Sequence, residues 1–141
     1  MIEKIKHKDL NLAIIIRSNF KKNGIEFFTD DEDTMQIGYM QRQENYEIKP
    51  HRHNSVARTV HLTQEVLFLK SGKVRVDFYD HDEIYIKSSI LNQGDVILLI
   101  DGGHGFKMIA SSEIIEVKQG PFLGDLDKVR FNATEDSKIV Y

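Results

Sequence analysis

The strongest constraint on this chain is its punctuation. Apolar or alternating runs are short, and Gly, Asn, Asp or Ser interrupts them repeatedly: Lys22-Asn23-Gly24, Lys70-Ser71-Gly72, Asp80-His81-Asp82, Asn92-Gln93-Gly94 and Asp101-Gly102-Gly103. These residues favour tight turns, because Gly tolerates positive φ and Asn and Asp side chains bond to nearby backbone. Short strands between such signals point to a sandwich or a barrel. Lys73–Tyr79 carries the pattern most clearly. Val74, Val76 and Phe78 fall on one face and Arg75, Asp77 and Tyr79 on the other, the period of a half-buried strand whose second face meets solvent.

Further strands are expected over Ile25–Thr29, Met35–Gln41, Tyr46–Lys49, Thr59–Leu69, Glu83–Ser88, Asp95–Ile100, Phe106–Ala110 and Glu113–Gln119. Near the start two readings stand: Ile14-Ile15-Ile16 is β-branched, whereas Lys4–Leu12 could open a short helix. No helical period is sustained elsewhere, apart from the polar stretch at the end. The expected class is therefore all-β, in a closed or double-sheet architecture that hides its strand edges. A length of 141 residues suits a single domain over 1–141.

Nineteen Lys and Arg against 22 Asp and Glu give a net charge of −3. That balance argues against a nucleic-acid partner, which calls for a basic face. With no cysteine, the chain can form no disulfide scaffold, thiolate zinc site, iron–sulfur cluster or cysteine nucleophile. Any metal must be held by His and carboxylate. The longest apolar runs, such as Val96–Ile100, fall far short of the ~20 residues a spanning helix needs. Met1–Leu10 is too charged for a signal peptide, so a cytoplasmic location is expected.

Among the histidines, His51 and His53 flank a single residue in Pro50-His51-Arg52-His53-Asn54. On a strand, such a pair points to one face and can converge on one ion; alternatively it is a solvated strand end. Glu65 opens an apolar run, where a carboxylate more often faces water. His104 stands in the Gly-rich turn Asp101–Phe106, again an ordinary loop position. The order of the three features is more telling than any one of them.

That order resembles the cupin superfamily, small jelly-roll β-barrels with two short metal motifs. His51-Arg52-His53, and then Glu65 followed by six residues and Gly72, match the first motif, over 50–72. Gly94-Asp95, Gly102 and His104 match the second, over 94–108. Asn45 replaces a leading Gly, Ile100 a Pro, and Met108 stands near an Asn; His104 comes one residue early. Asn54–Leu62 reads as an insertion before Glu65. In a second alignment, Thr59 and His61 take the paired positions and His61 becomes a ligand.

The resemblance implies one divalent transition metal ion (Zn, Fe, Mn, Ni or Co) on His51, His53, Glu65 and His104. It further implies a small polar ligand, such as a sugar or sugar nucleotide, and an isomerase, lyase or oxygenase activity. A non-catalytic binding module with an accessory role is the alternative, and a metal-free barrel moving protons with His and Tyr a third. Arg58, Gln64, Arg75 and Tyr79 are candidates for contacting substrate. Glu116 and Lys118 share a face that reads as solvated, and Asp30–Asp33 reads as a solvated turn. A homodimer is expected, with Ile14–Ile16 and Ile25–Phe28 partly buried at its interface.

Overall fold

The computed structural model describes all 141 residues, Met1–Tyr141. Its regular structure is ten strands: β1 Ile2–His7, β2 Leu10–Ile16, β3 Gly24–Phe27, β4 Gly38–Gln41, β5 Glu65–Ser71, β6 Lys73–Tyr79, β7 Tyr85–Asn92, β8 Val96–Leu99, β9 Gly103–Met108 and β10 Glu113–Lys118. Two short turns of 3-10 helix, Gly124–Asp127 and Asp136–Lys138, follow. The class is all-β, in three antiparallel sheets ordered β1-β2-β8-β5-β10, β3-β4 and β7-β6-β9. No helix is long and apolar enough to cross a membrane. Contacts divide the chain into two compact units, 1–20 with 62–141, and 21–61.

In the first unit two sheets share one core. Ile5, Leu12, Ala13, Ile15, Leu67, Leu69, Ile97 and Leu99 come from the five-stranded sheet, and Val74, Val76, Phe78 and Leu91 from the three-stranded one. The turn between β5 and β6 carries the chain from one sheet to the other. It depends on Gly72, whose φ is +93° and where a Cβ would lie 2.2 Å from the Ser111 carbonyl oxygen. The helical reading of Lys4–Leu12 is overturned: β1 and β2 form a hairpin turning at Lys8, with φ +52°. The β-branched run prevails because β2 lies between β1 and β8. Ile14, Ile15 and Ile16 are consequently all buried, and this run is not an open surface for a second chain.

The alternation of β6 is present, but its second face is not solvated. Arg75, Asp77 and Tyr79 are buried, because residues from Phe131 to Val140 bond across that face. Strand β9 begins at Gly103, not Phe106, so His104 is a strand residue and not a turn residue.

The second unit holds the β3–β4 hairpin, with Gly24 opposite Gln41 and Phe27 opposite Gly38. The loop between them is closed by its own polar groups: Asp33 Oδ2 accepts from Asp30 N–H at 2.8 Å, and Gln36 Nε2 donates to the carbonyls of Asp30 and Asp33 at 2.8 and 3.0 Å. The expected strand at Tyr46–Lys49 is absent, and Thr59–Leu69 is a strand only from Glu65 onward. Both missing pieces lack a neighbouring strand to take up their backbone groups.

Candidate functional site

Register brings two chemical groups from distant parts of the sequence together. Glu65 shares a face of β5 with the buried Leu67 and Leu69. His104 on β9 lies opposite the core residue Phe78 on β6. Both side chains therefore belong to the inward faces of their sheets, and His104 Nε2 lies 3.3 Å from Glu65 Oε2. Strand β10 sets Lys118 directly across the ladder from Glu65. Its Nζ is 3.9 Å from Glu65 Oε1 and 2.5 Å from Asp127 Oδ2. Thr63 Oγ1 donates to the other oxygen of Asp127 at 2.5 Å.

These contacts set the charges. The hydrogen bond from His104 holds the Glu65 carboxyl below its ordinary value, outweighing burial, and the positive charges of Lys118 and Lys128 act in the same sense. The Asp127 carboxylate raises the Lys118 ammonium, while Lys118 and then Thr63 lower Asp127. Around neutral pH the group thus holds two carboxylates and one ammonium beside the His104 ring. The His104 ring also lies 5.4 Å from that of Phe106.

The other expected ligands lie in the second unit, outside any strand. The rings of His51 and His53 stand edge to face with centroids 5.4 Å apart. His51 Nδ1 contacts the Lys49 carbonyl at 3.0 Å; a carbonyl only accepts, so Nδ1 is the donor and the contact does not engage Nε2. His61 is exposed in the same stretch. Within neither unit do three or more His, Asp or Glu side chains gather into a group able to hold a metal ion. The structure thus brings Glu65 to His104, and His51 to His53.

Of the four expected substrate contacts, Arg58 is exposed and donates to the Val56 carbonyl at 3.4 Å. Gln64 is buried beside Glu65, and its carbonyl accepts from Gln119 N–H at 2.9 Å. Arg75 and Tyr79 lie on the outward face of β6, opposite the face that carries Phe78 and its cross-strand neighbour His104, so they do not line this site. Sequence reasoning read Lys118 as solvated and missed Asp127 and Thr63. The available signal was the apolar match of Val66–Leu69 with Ile114–Val117, which sets Lys118 against Glu65 once β5 and β10 pair.

An open depression of about 540 Å³ lies elsewhere in the first unit, lined by Glu3, Arg17, Lys87, Ser89, Asp95 and Tyr141 among others. Arg17 is fully engaged there. It donates to the Ile90 carbonyl at 2.5 Å, Ser89 Oγ at 2.8 Å and Asp95 Oδ2 at 2.9 Å, and it pairs with Glu3. Comparison with protein-family models, curated proteins and solved structures gives no match.

Proposed function

We propose that the chain is a metal-binding protein of the cupin type that acts on a small polar molecule, with sugars and sugar nucleotides as the class to test first. The observation that carries this reading is the meeting of Glu65 with His104, one from each of the two motif regions, 3.3 Å apart on inward faces. Strand order supports it. From β5 to β10 the chain passes repeatedly between two sheets, with β5, β8 and β10 in one and β6, β7 and β9 in the other, a crossing pattern compatible with a jelly roll.

On this reading His51, His53, Glu65 and His104 hold one divalent transition ion, with His61 the alternative to one of the paired histidines. The donor chemistry fits: imidazole and carboxylate suit Zn, Fe, Mn, Ni and Co. Glu65 is kept ionised by its neighbours, and the carbonyl contact of His51 leaves its other nitrogen available. These ligands would leave an ion open positions at which it would supply Lewis-acid polarisation to an oxygen of a bound molecule. Lys118, steadied by Asp127, supplies a positive charge beside Glu65 for an anionic or hydroxylic part of that molecule. The direct His104–Glu65 contact also favours a second reading, metal-free proton transfer through this pair. We further read the protein as a homodimer, because Phe68, Ile115 and Val117 leave apolar side chains exposed where β10 ends its sheet.

The test is the metal content of protein purified without added metal, followed by melting of wild type and His104→Ala with and without chelator. A ligand that binds only the folded state stabilises it by about 2.7 kcal/mol at a hundredfold excess over Kd. Wild type should therefore carry close to one ion per chain and melt lower after chelation, and the variant should show little change. Metal-free wild type that is indifferent to chelator overturns the metal reading and leaves proton transfer. Full occupancy in His104→Ala removes His104 from the ligand set.

A further inference from the structure

A second constellation lies on the outward face of β6, turned away from Glu65 and His104. Its floor is a closed polar network. Arg75 grips Asp77 with Nε at 2.8 Å and Nη2 at 2.9 Å. Ser88 Oγ donates to Asp77 Oδ1 at 2.5 Å, and the Tyr85 hydroxyl meets Ser88 Oγ at 2.8 Å. Arg75, Asp77, Tyr79 and Ser88 are all buried.

Residues from Phe131 to Val140 supply the cover, and each contact reads a different chemical feature. The Phe131 ring meets Tyr79 edge to face, 5.0 Å between centroids. It sits over Gly103, where a Cβ would come within 2.8 Å of Phe131 Cζ. Thr134 N–H donates to the Tyr79 hydroxyl at 3.1 Å. Asp136 accepts from Arg75 Nη1 at 2.8 Å and pairs through its other oxygen with Lys107. Val140 N–H donates to the Tyr85 hydroxyl at 2.9 Å, and the Val140 carbonyl accepts from Ser88 N–H at 2.6 Å. Reading along the segment, the sheet recognises a ring, then backbone, then a carboxylate, then backbone.

That division of labour is how sheets recognise extended peptides: backbone bonds give affinity and side-chain sites give selectivity. No residue of the segment is itself buried. The helical turn Asp136–Lys138 buries no residue, and the Asp136 side chain is 61% exposed. Segments with few buried apolar contacts open at small free energy. The bonds within the floor, from Arg75 and Ser88 to Asp77 and between Tyr85 and Ser88, do not involve the segment; its departure breaks the Asp136 pairs with Arg75 and Lys107, the bond of Thr134 to Tyr79, and those of Val140 to Tyr85 and Ser88.

We propose that the outward face of β6, β7 and β9 is a recognition groove for an extended peptide that carries one anchoring carboxylate, filled here by the chain's own residues Phe131 to Val140 and open to exchange with the same segment of a second copy. A second copy is the occupant because its segment reproduces every contact, so exchange sacrifices none of them. Asp136 is the selective element, since a buried guanidinium and a lysine converge on its carboxylate.

A fluorescent peptide of residues 128–141 is titrated by anisotropy into full-length wild type and full-length Asp136→Asn. The variant's own segment has lost its charged anchor. Charge-assisted bonds of this kind are strong enough that the peptide should bind the variant about tenfold more tightly than wild type. A peptide carrying Asp136→Asn should lose that gain. Phe131→Ala, which frees the segment through its ring instead, should give the same result, and circular dichroism checks that both variants remain folded. Equal, weak binding to wild type and both variants overturns the groove. Tight peptide binding with no dimer of the full chain by sedimentation at high concentration, or with a dimer that excess peptide does not dissociate, overturns the second copy as occupant.

Discussion

Glu65 and His81 are shifted in opposite senses, and each ties folding to pH in its own window. Glu65 is held down chiefly by His104, so its contribution is present above the ordinary carboxylate value and is lost as pH falls through the lowered one. His81 is raised chiefly by its hydrogen bond to Asp101 at 2.8 Å, with the charges of Asp101, Asp80 and Asp82 adding to it. Its contribution is complete below the ordinary His value and disappears as pH rises through the raised one. His81→Asn should therefore melt below wild type near about pH 6 and converge with it by about pH 8. The difference is small, because the His81 side chain is 59% exposed. A constant offset across that range would separate this residue from its titration. At this scale the sequence was partly legible. Glu65 and His104 were picked out by type and order, whereas Lys118 was read as solvated because its partner Asp127 lies in a helical turn with no periodic signal.

Among the elements, the turn from β5 to β6 is the most sensitive to a single atom. Gly72 has positive φ, and an added Cβ would lie 2.2 Å from a backbone oxygen that cannot move cheaply. Gly72→Ala should cost about 1–3 kcal/mol from the strained conformation, with the clash adding to it. Denaturant unfolding measures this, and a loss well under about 1 kcal/mol would show that the loop at Ser111, between β9 and β10, yields. Most strand positions were readable from alternation and turn residues. What hid was coverage. The burial of Arg75, Asp77 and Tyr79 depends on polar residues that include Asp136, 61 positions after Arg75, and no local pattern announces so distant a cover. The expected strand at Tyr46–Lys49 failed for the converse reason: β-propensity is expressed only where a neighbouring strand accepts it.

Taken whole, the first unit is stabilised where its two sheets press together, and variants should sort by that position. Ile97 has no exposed surface, so Ile97→Ala should cost about 2–5 kcal/mol. Ile115 is 54% exposed on the same sheet, and Ile115→Ala should stay within about 0.5 kcal/mol. Chemical denaturation of both variants, at a protein concentration low enough to keep the chain monomeric, checks the contrast; at concentrations where the proposed homodimer covers Ile115, the loss at Ile115 should grow while that at Ile97 stays. The all-β class was evident from composition and punctuation. The division into two compact units was not, because the residues from Lys21 to His61 carry the same short runs and turn signals as the rest.

Arg17 has a consequence for where the first unit can flex. Its guanidinium ties Glu3 on β1 and Asp95 beside β8 to Ser89 and Ile90 on β7, and so joins the two sheets. Register puts this tie beyond Val96, whereas Glu65 lies level with Leu99, toward the other end of β8. The 3.3 Å contact of Glu65 with His104 bridges the same two sheets at that other end, so the pair of leaves is clasped at both margins and neither end is free to part on its own.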